Sequence, residues 1–186
     1  MSLPSLLCLI AFTLFACYNI LIITRFGIPI HYSETYYLLK EHKHSLRILA
    51  PLLWFSLIIT IFPAWIMVSR EIGTKESDLF EWEIFATVFF ILVIIVLSNY
   101  KHSPIVATLH YLSAVGAALS FLSWIAIVRP DMLYTILISL VLIVFAATIT
   151  KTFRSSFFFW LELGCVFCLT ITVFIISIKP KPIINI

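Results

Sequence analysis

Charged residues are scarce in this chain, and their scarcity excludes the ordinary soluble classes of protein. They make up 11% of its 186 residues, whereas hydrophobic residues make up 62%. A soluble domain carries about 25% charged residues. The mean hydropathy is +1.13, and the apolar runs are too long for a soluble core. The formal charge is +3, with basic residues scattered at the ends of these runs, so we expect no nucleic-acid partner.

Glycine and cysteine are also scarce, with four of each. So few glycines do not favour wide backbone hinging, and the paired broken helices of inverted-repeat transporters do not occur. Cys165 and Cys168 have the spacing of a redox pair, but they lie mid-helix among apolar residues, where a free cysteine behaves as a small hydrophobe. The chain contains no HExxH or HxxxH spacing, and we predict neither a metal site nor a cofactor.

What the chain has in abundance is long apolar runs. About six of them approach the roughly 20 residues that a helix needs to cross a bilayer. The runs are continuous, and hydrocarbon requires backbone polar groups to be bonded internally, so they predict helices. The predicted fold is all-α, a single polytopic transmembrane helical bundle over residues 1–186. Its spans are predicted at about 3–24, 48–68, 82–98, 105–128, 132–150 and 157–178.

The orientation of the chain follows from its ends and connections. The first run lacks the basic start of a signal peptide, so it is interpreted as a retained membrane helix. Lys and Arg are slightly more numerous in the connections after the first, third and fifth spans. This bias favours both termini outside the cytoplasm, and we expect an integral protein of a bacterial cytoplasmic membrane.

The longest polar connection, 25–47, is predicted to contain a short interfacial helix. The FGIP stretch at 26–29 is expected to end the first helix, because glycine permits unusual φ angles and proline removes a donor. Ser33 is a suitable N-cap, and Glu34 in the first turn suits the helix dipole. An interfacial helix at headgroup level is therefore predicted within 33–44.

Ionisable residues converge at the membrane face of this connection. With six spans, the connection and the starts of the fourth and sixth spans share one face. His110 and Glu162 then lie roughly 8 Å below those helix starts. Charged groups at a helix centre cost about 2.5–3.5 kcal/mol on insertion scales and usually face an interior or a wet cavity. The predicted polar cavity comprises Glu162, His110, Glu34, Ser33 and His31, supported by Asn19, Tyr18, Tyr36 and Tyr37. A purely structural role, or an interfacial anchor for the tyrosines, is the alternative.

Small residues recur at helical spacing on the fourth span, at Ser113, Gly116, Ala117 and Ser120, and on the fifth. Such faces allow close helix packing in membranes. Packing between helices of the same chain explains these small-residue faces. A homo-oligomer that packs through them within the lipid bilayer stays open as an alternative.

The stretches FGIPIHYSETYYLL and TLHYLSAVGAALS resemble small multi-pass membrane proteins of bacterial and phage genomes. In that pattern, an FG-x-P and Ser-x-x-Tyr-Tyr-Leu-Leu segment precedes a helix that carries His-Tyr. The matching residues are Phe26, Gly27, Pro29, Ser33, Tyr36, Tyr37, Leu38, Leu39, His110 and Tyr111. The resemblance covers the first connection and the fourth span and implies no known activity.

Three functions remain open from the sequence. The first is the binding or movement of a small solute or protons, with Glu162 and His110 lining a polar cavity. The second is an intramembrane hydrolase or transferase acting on a lipid-like substrate, with His110 as base and Ser33, Glu34 or Glu162 as partner. The third is a non-catalytic subunit or effector that acts through helix association.

Overall fold

The computed structural model describes residues 1–42, 48–72, 82–97 and 101–178. These residues form seven α-helices and one 3-10 turn, which confirms the all-α prediction. The helices are α1 (Leu3–Phe26), α2 (Glu34–His42), α3 (Leu49–Glu71), α4 (Trp82–Leu97), α5 (Pro104–Val128), α6 (Leu133–Ile149) and α7 (Phe157–Ile178), with the turn at Pro130–Met132.

Five helices, α1, α3, α5, α6 and α7, are long and apolar enough to cross a membrane. Helix α4 is apolar but has 16 residues. It is therefore about 24 Å long at 1.5 Å per residue, against a hydrocarbon core of about 30 Å. Five of the predicted spans thus have the required length, and a sixth crossing at α4 stays a prediction.

The local sequence ends α1 where the FGIP stretch predicts. Helix α1 ends before Gly27, whose φ of +77° suits a residue without a Cβ. The Gly27 N–H still donates to the Ile23 carbonyl at 3.1 Å. Helix α2 occupies the predicted interfacial segment, of which residues 43 and 44 lie outside the described part. Helix α5 begins after Ser103, whose side chain accepts a backbone N–H from the first turn.

The bundle is held by a few extensive helix pairs. Helix α1 packs against α3 and α7, α4 against α5, and α6 against α7. The interior consists of two apolar clusters. One surrounds Tyr32 and Trp54 near α2, and the other surrounds Trp65 and Trp124, further along α3 and α5. Both clusters are rich in aromatic rings, which bury large areas.

The small-residue faces are occupied by neighbouring helices of the same chain. A Cβ added at Gly116 would lie 2.9 Å from the Phe89 ring, so the absence of a side chain lets α5 approach α4. On the fifth predicted span, the hydroxyls of Thr135 and Thr172 lie 2.7 Å apart and join α6 to α7. The homo-oligomer stays a prediction.

Candidate functional site

A cavity of about 450 Å³ lies among α3, α4, α5 and α7, with the end of the first connection at its top. Most of its lining residues are apolar or aromatic. They include Leu57, Ile61, Phe62, Ala86, Phe90, Val93, Ala114, Ala117, Ala118, Phe121, Val166 and Leu169. Cavities of this size and character hold small organic molecules in proteins.

Polar groups gather at one end of this cavity. The lining there includes His31, Ser33, His110, Tyr111 and Glu162. His110 is the seventh residue of α5 and Glu162 the sixth of α7. Both lie roughly 8 Å inside their helices, at the face where the first connection enters. The cavity is therefore polar at the end nearest the first connection and apolar beyond it.

His31 and Glu162 face each other at the polar end. The distance from His31 Nδ1 to Glu162 Oε1 is 4.0 Å, and both side chains are partly exposed. The Glu162 carboxyl group also faces the backbone of Tyr32 and Ser33 in the first connection. The pair can hold a proton or donate and accept hydrogen bonds to a molecule in the cavity.

Aromatic contacts fix the position of the His31 ring. It stacks on Phe158 with ring centroids 5.2 Å apart, and it meets Tyr111 at 5.9 Å. Tyr111 in turn lies edge-on to the His110 ring at 5.6 Å. Two imidazoles from distant segments are therefore bridged by one tyrosine.

Ser33 does not act as the helix cap that the sequence predicts. Its side chain is 2% exposed, and the Oγ atom has no hydrogen-bond partner among the described residues. The start of α2 is instead secured by backbone bonds, such as Thr35 N–H to the Tyr32 carbonyl at 3.1 Å. The prediction of an N-cap was wrong, because the buried Ser33 hydroxyl accepts no backbone N–H from the first turn of α2, although the residue lines the cavity.

Backbone and ring contacts hold the first connection in place. The Phe159 N–H donates to the Ile30 carbonyl at 3.0 Å, so the start of α7 binds the connection directly. Tyr32 is buried and stacks on Phe15 and Phe159. Complete burial raises the pKa of the Tyr32 hydroxyl well above its ordinary value, so this group stays neutral.

The predicted supporting residues lie behind the connection rather than in the cavity. Asn19 Nδ2 donates to the Tyr32 hydroxyl at 3.1 Å, and the Tyr18 hydroxyl donates to Thr35 Oγ1 at 2.6 Å. These two α1 residues position Tyr32 and the start of α2. Tyr36 and Tyr37 pack edge-on against each other in α2.

Glu34, predicted as a cavity residue, is not part of the lining. One carboxylate oxygen lies 3.5 Å from Lys101 Nζ, and the other accepts the Ile30 N–H at 3.2 Å. Lys101 also lies over the Tyr37 ring, 4.7 Å from its centroid. Glu34 and Lys101 therefore tie α2 to the segment that precedes α5.

His110 is deeply buried, at 3% exposure. Its imidazole is within hydrogen-bonding reach of the backbone of Val93 in α4 and is close to His31. This contact fits the structural role considered above, while the ring also lines the cavity.

The described residues contain no group of three or more His, Cys, Asp or Glu side chains that could hold a metal ion. The cysteines described in the structure are unpaired. Cys165 lies one turn beyond Glu162 and lines the cavity, whereas Cys168 is buried. The absence of a cofactor stays a prediction.

Two tryptophans belong to the site and were missed from the sequence. Trp54 and Trp65 line the cavity. Both are buried, and neither indole N–H has a hydrogen-bond partner among the described residues. They are eleven positions apart in α3, so they mark two levels of the cavity roughly 16 Å apart. One sequence feature could have identified Trp65 as a site residue. It lies deep in a predicted span, away from the interfacial belt that membrane tryptophans usually occupy.

No protein-family model, curated protein or solved structure matches this chain.

Proposed function

We propose that the protein binds a lipid-like amphiphile within the membrane. Its polar end would lie among His31, Ser33 and Glu162, and its apolar part would fill the cavity toward Trp65. The observation that carries this proposal is the separation of polar and apolar lining within one cavity. Pockets of this kind bind mainly through apolar walls, with a few polar groups that fix orientation.

An uncharged polar group on the ligand suits the polar end best, because a charged group is costly to bury unless it is fully paired. The Glu162 carboxyl group, the His31 imidazole and the Ser33 hydroxyl can each form hydrogen bonds with such a group. A hydroxyl can donate to Glu162, and a hydroxyl or an ester carbonyl can accept from Ser33. A monoacylglycerol has this chemistry and serves as a probe.

The binding or movement of a hydrated solute is less well supported. A path for ions or protons needs polar groups along its length. The deeper lining of this cavity includes Ile61, Phe62 and Phe121, whose side chains offer neither charge nor hydroxyl. Replacing the hydration shell of an ion there would be costly.

Catalysis on the bound amphiphile is a second candidate. The unpartnered Ser33 hydroxyl lies at the same end of the cavity as the His31–Glu162 pair. A hydroxyl beside an imidazole that is oriented by a carboxylate is the arrangement used in nucleophilic acyl transfer. Release of fatty acid from the monoacylglycerol, lost in Ser33→Ala, would support it.

The binding proposal is tested by tryptophan fluorescence with a monoacylglycerol brominated in its chain. Bromine quenches an indole that it contacts, and Trp65 lines the cavity. We expect saturable quenching in the wild-type protein, which Ala118→Phe abolishes because Ala118 lines the cavity and a ring there would fill it. Ala126→Phe is the matched control, on an exposed position of the same helix. Equal quenching in the two variants would overturn the proposal.

A further inference from the structure

The cavity wall between α5 and α7 is made of side chains that are also exposed on the outside of the bundle. Tyr111 and Val115 of α5 are 40% and 54% exposed, and Phe158 and Leu161 of α7 are 52% and 40% exposed. All four also line the cavity. A residue that faces both the cavity and the surroundings lies at the rim of an opening.

The four residues form two facing rims. Tyr111 and Val115 are four positions apart, and Phe158 and Leu161 are three apart, so each pair lies on one face of its helix. Helix α5 packs chiefly against α4, while α7 packs chiefly against α1 and α6. The two rims therefore border a slot, which we call the α5–α7 slot, between helices whose main contacts lie elsewhere.

The slot extends from the polar end of the cavity into its apolar part. Tyr111 and Phe158 both contact the His31 ring, so the upper part of the slot lies beside the polar groups. Val115 and Leu161 continue it by one turn toward the apolar part. In the membrane, apolar side chains exposed at this depth face lipid chains rather than water.

We propose that the ligand reaches the cavity sideways from the bilayer through the α5–α7 slot, and that it is a single-chain amphiphile with an uncharged polar end. This inference rests on the proposed binding function and adds the route and the class of ligand. In lateral transfer the chain stays in an apolar environment throughout, while the polar end moves along the level of His31. The transfer therefore avoids carrying a hydrocarbon chain through water.

The size of the cavity is the reason for a single chain. Its volume of about 450 Å³ lies near the lower end of the range for small-molecule sites, roughly 300–1,000 Å³. One acyl chain with a small polar end suits this volume. A second chain would remain outside, where it would hold the slot open.

The kinetics of quenching by the brominated monoacylglycerol test the route. Val115→Phe places a larger side chain on the rim, and Val115→Ala a smaller one. We expect both the onset of quenching and its reversal to be several-fold slower in Val115→Phe and faster in Val115→Ala. Because Val115 also lines the cavity, the equilibrium extent of quenching is measured in each variant, and the slot predicts a slower onset in Val115→Phe whether or not that extent changes. Val141→Phe is the control, since Val141 is 59% exposed on α6 and is not among the cavity-lining residues.

The possible outcomes separate the two proposals. Wild-type rates in both Val115 variants, with normal equilibrium quenching, would overturn the slot but leave the binding function standing. An absence of quenching in the wild-type protein would overturn both. If Val115→Phe does not fold, Leu161→Phe on the opposite rim gives the same comparison, and unchanged rates there would also overturn the slot.

Discussion

At the scale of single residues, the Ser33 hydroxyl sets the chemistry of the cavity. A buried hydroxyl without a partner costs about 1–3 kcal/mol in protein mutational data. The described residues provide no partner for this one, and a hydrogen-bonding group on a ligand would supply a partner. The His31 Nδ1 atom also makes no hydrogen bond, and Glu162 Oε1 lies 4.0 Å from it. Such groups are retained at binding sites because they fix the orientation of a ligand.

Ser33→Ala should therefore change stability and binding in opposite directions. We expect the ligand-free variant to be up to about 1 kcal/mol more stable than wild type, because a desolvated hydroxyl is removed. Monoacylglycerol affinity should fall by about 1 kcal/mol, because one hydrogen bond is lost. Thermal unfolding in detergent and equilibrium quenching measure the two effects.

Ser177→Ala provides the matched control. The Ser177 hydroxyl donates to the Phe174 carbonyl at 2.7 Å and lies 2.8 Å from the Ser5 hydroxyl, so its removal should destabilise the protein by about 1 kcal/mol. If Ser33→Ala loses as much stability as Ser177→Ala, the Ser33 hydroxyl must have a hydrogen-bond partner, and the prediction is contradicted.

At the scale of helices, the first connection covers the polar end of the cavity through His31 and Ser33, and we call this segment the cover. The connection is bonded to the start of α7 through Ile30 and Phe159, and α2 is tied to Lys101 through Glu34. The two acidic residues of this region therefore have different roles. Glu34 holds the cover in place, and Glu162 lines the space beneath it.

Glu34→Gln and Glu162→Gln should therefore differ in their effects on stability and on ligand affinity. The Glu34–Lys101 pair is partly exposed, so its loss should cost less than about 1 kcal/mol of stability and leave ligand affinity unchanged. Glu162→Gln replaces the carboxyl group by an amide, whose NH2 cannot accept the hydrogen bond that a ligand hydroxyl donates. Affinity for the monoacylglycerol should then fall by about 1 kcal/mol, or roughly fivefold. Equilibrium quenching of both variants measures the difference, and equal affinities would contradict the assignment of different roles.

At the scale of the whole molecule, the bundle follows from the sequence to a large extent. Continuous apolar runs and the Gly27 break predict the helices to within a few residues, because backbone bonding in hydrocarbon leaves few alternatives. The prediction of six alternating spans brings His110, Glu162 and the first connection to one end of the bundle. The structure puts side chains of all three segments in one cavity lining.

The rest of the site depends on the rotation and spacing of helices. Side-chain packing decides whether Trp65 faces the cavity or lipid, and whether α5 and α7 touch or leave a slot. The sequence does not predict that packing, because a helix that is apolar all round has no apolar periodicity to show which face is buried. The Ser33 prediction failed for a related reason. Serine is a favoured residue type at the N-cap position, but the backbone path of the connection decides where its hydroxyl points.

The central claim is that this cavity holds an amphiphile, and native mass spectrometry of the protein extracted from its membrane tests it most directly. We predict a bound species of lipid-like mass that is retained by wild type and by Ala126→Phe and absent from Ala118→Phe, whose added ring fills the cavity. A bare wild-type protein, or equal retention in both variants, would contradict the claim.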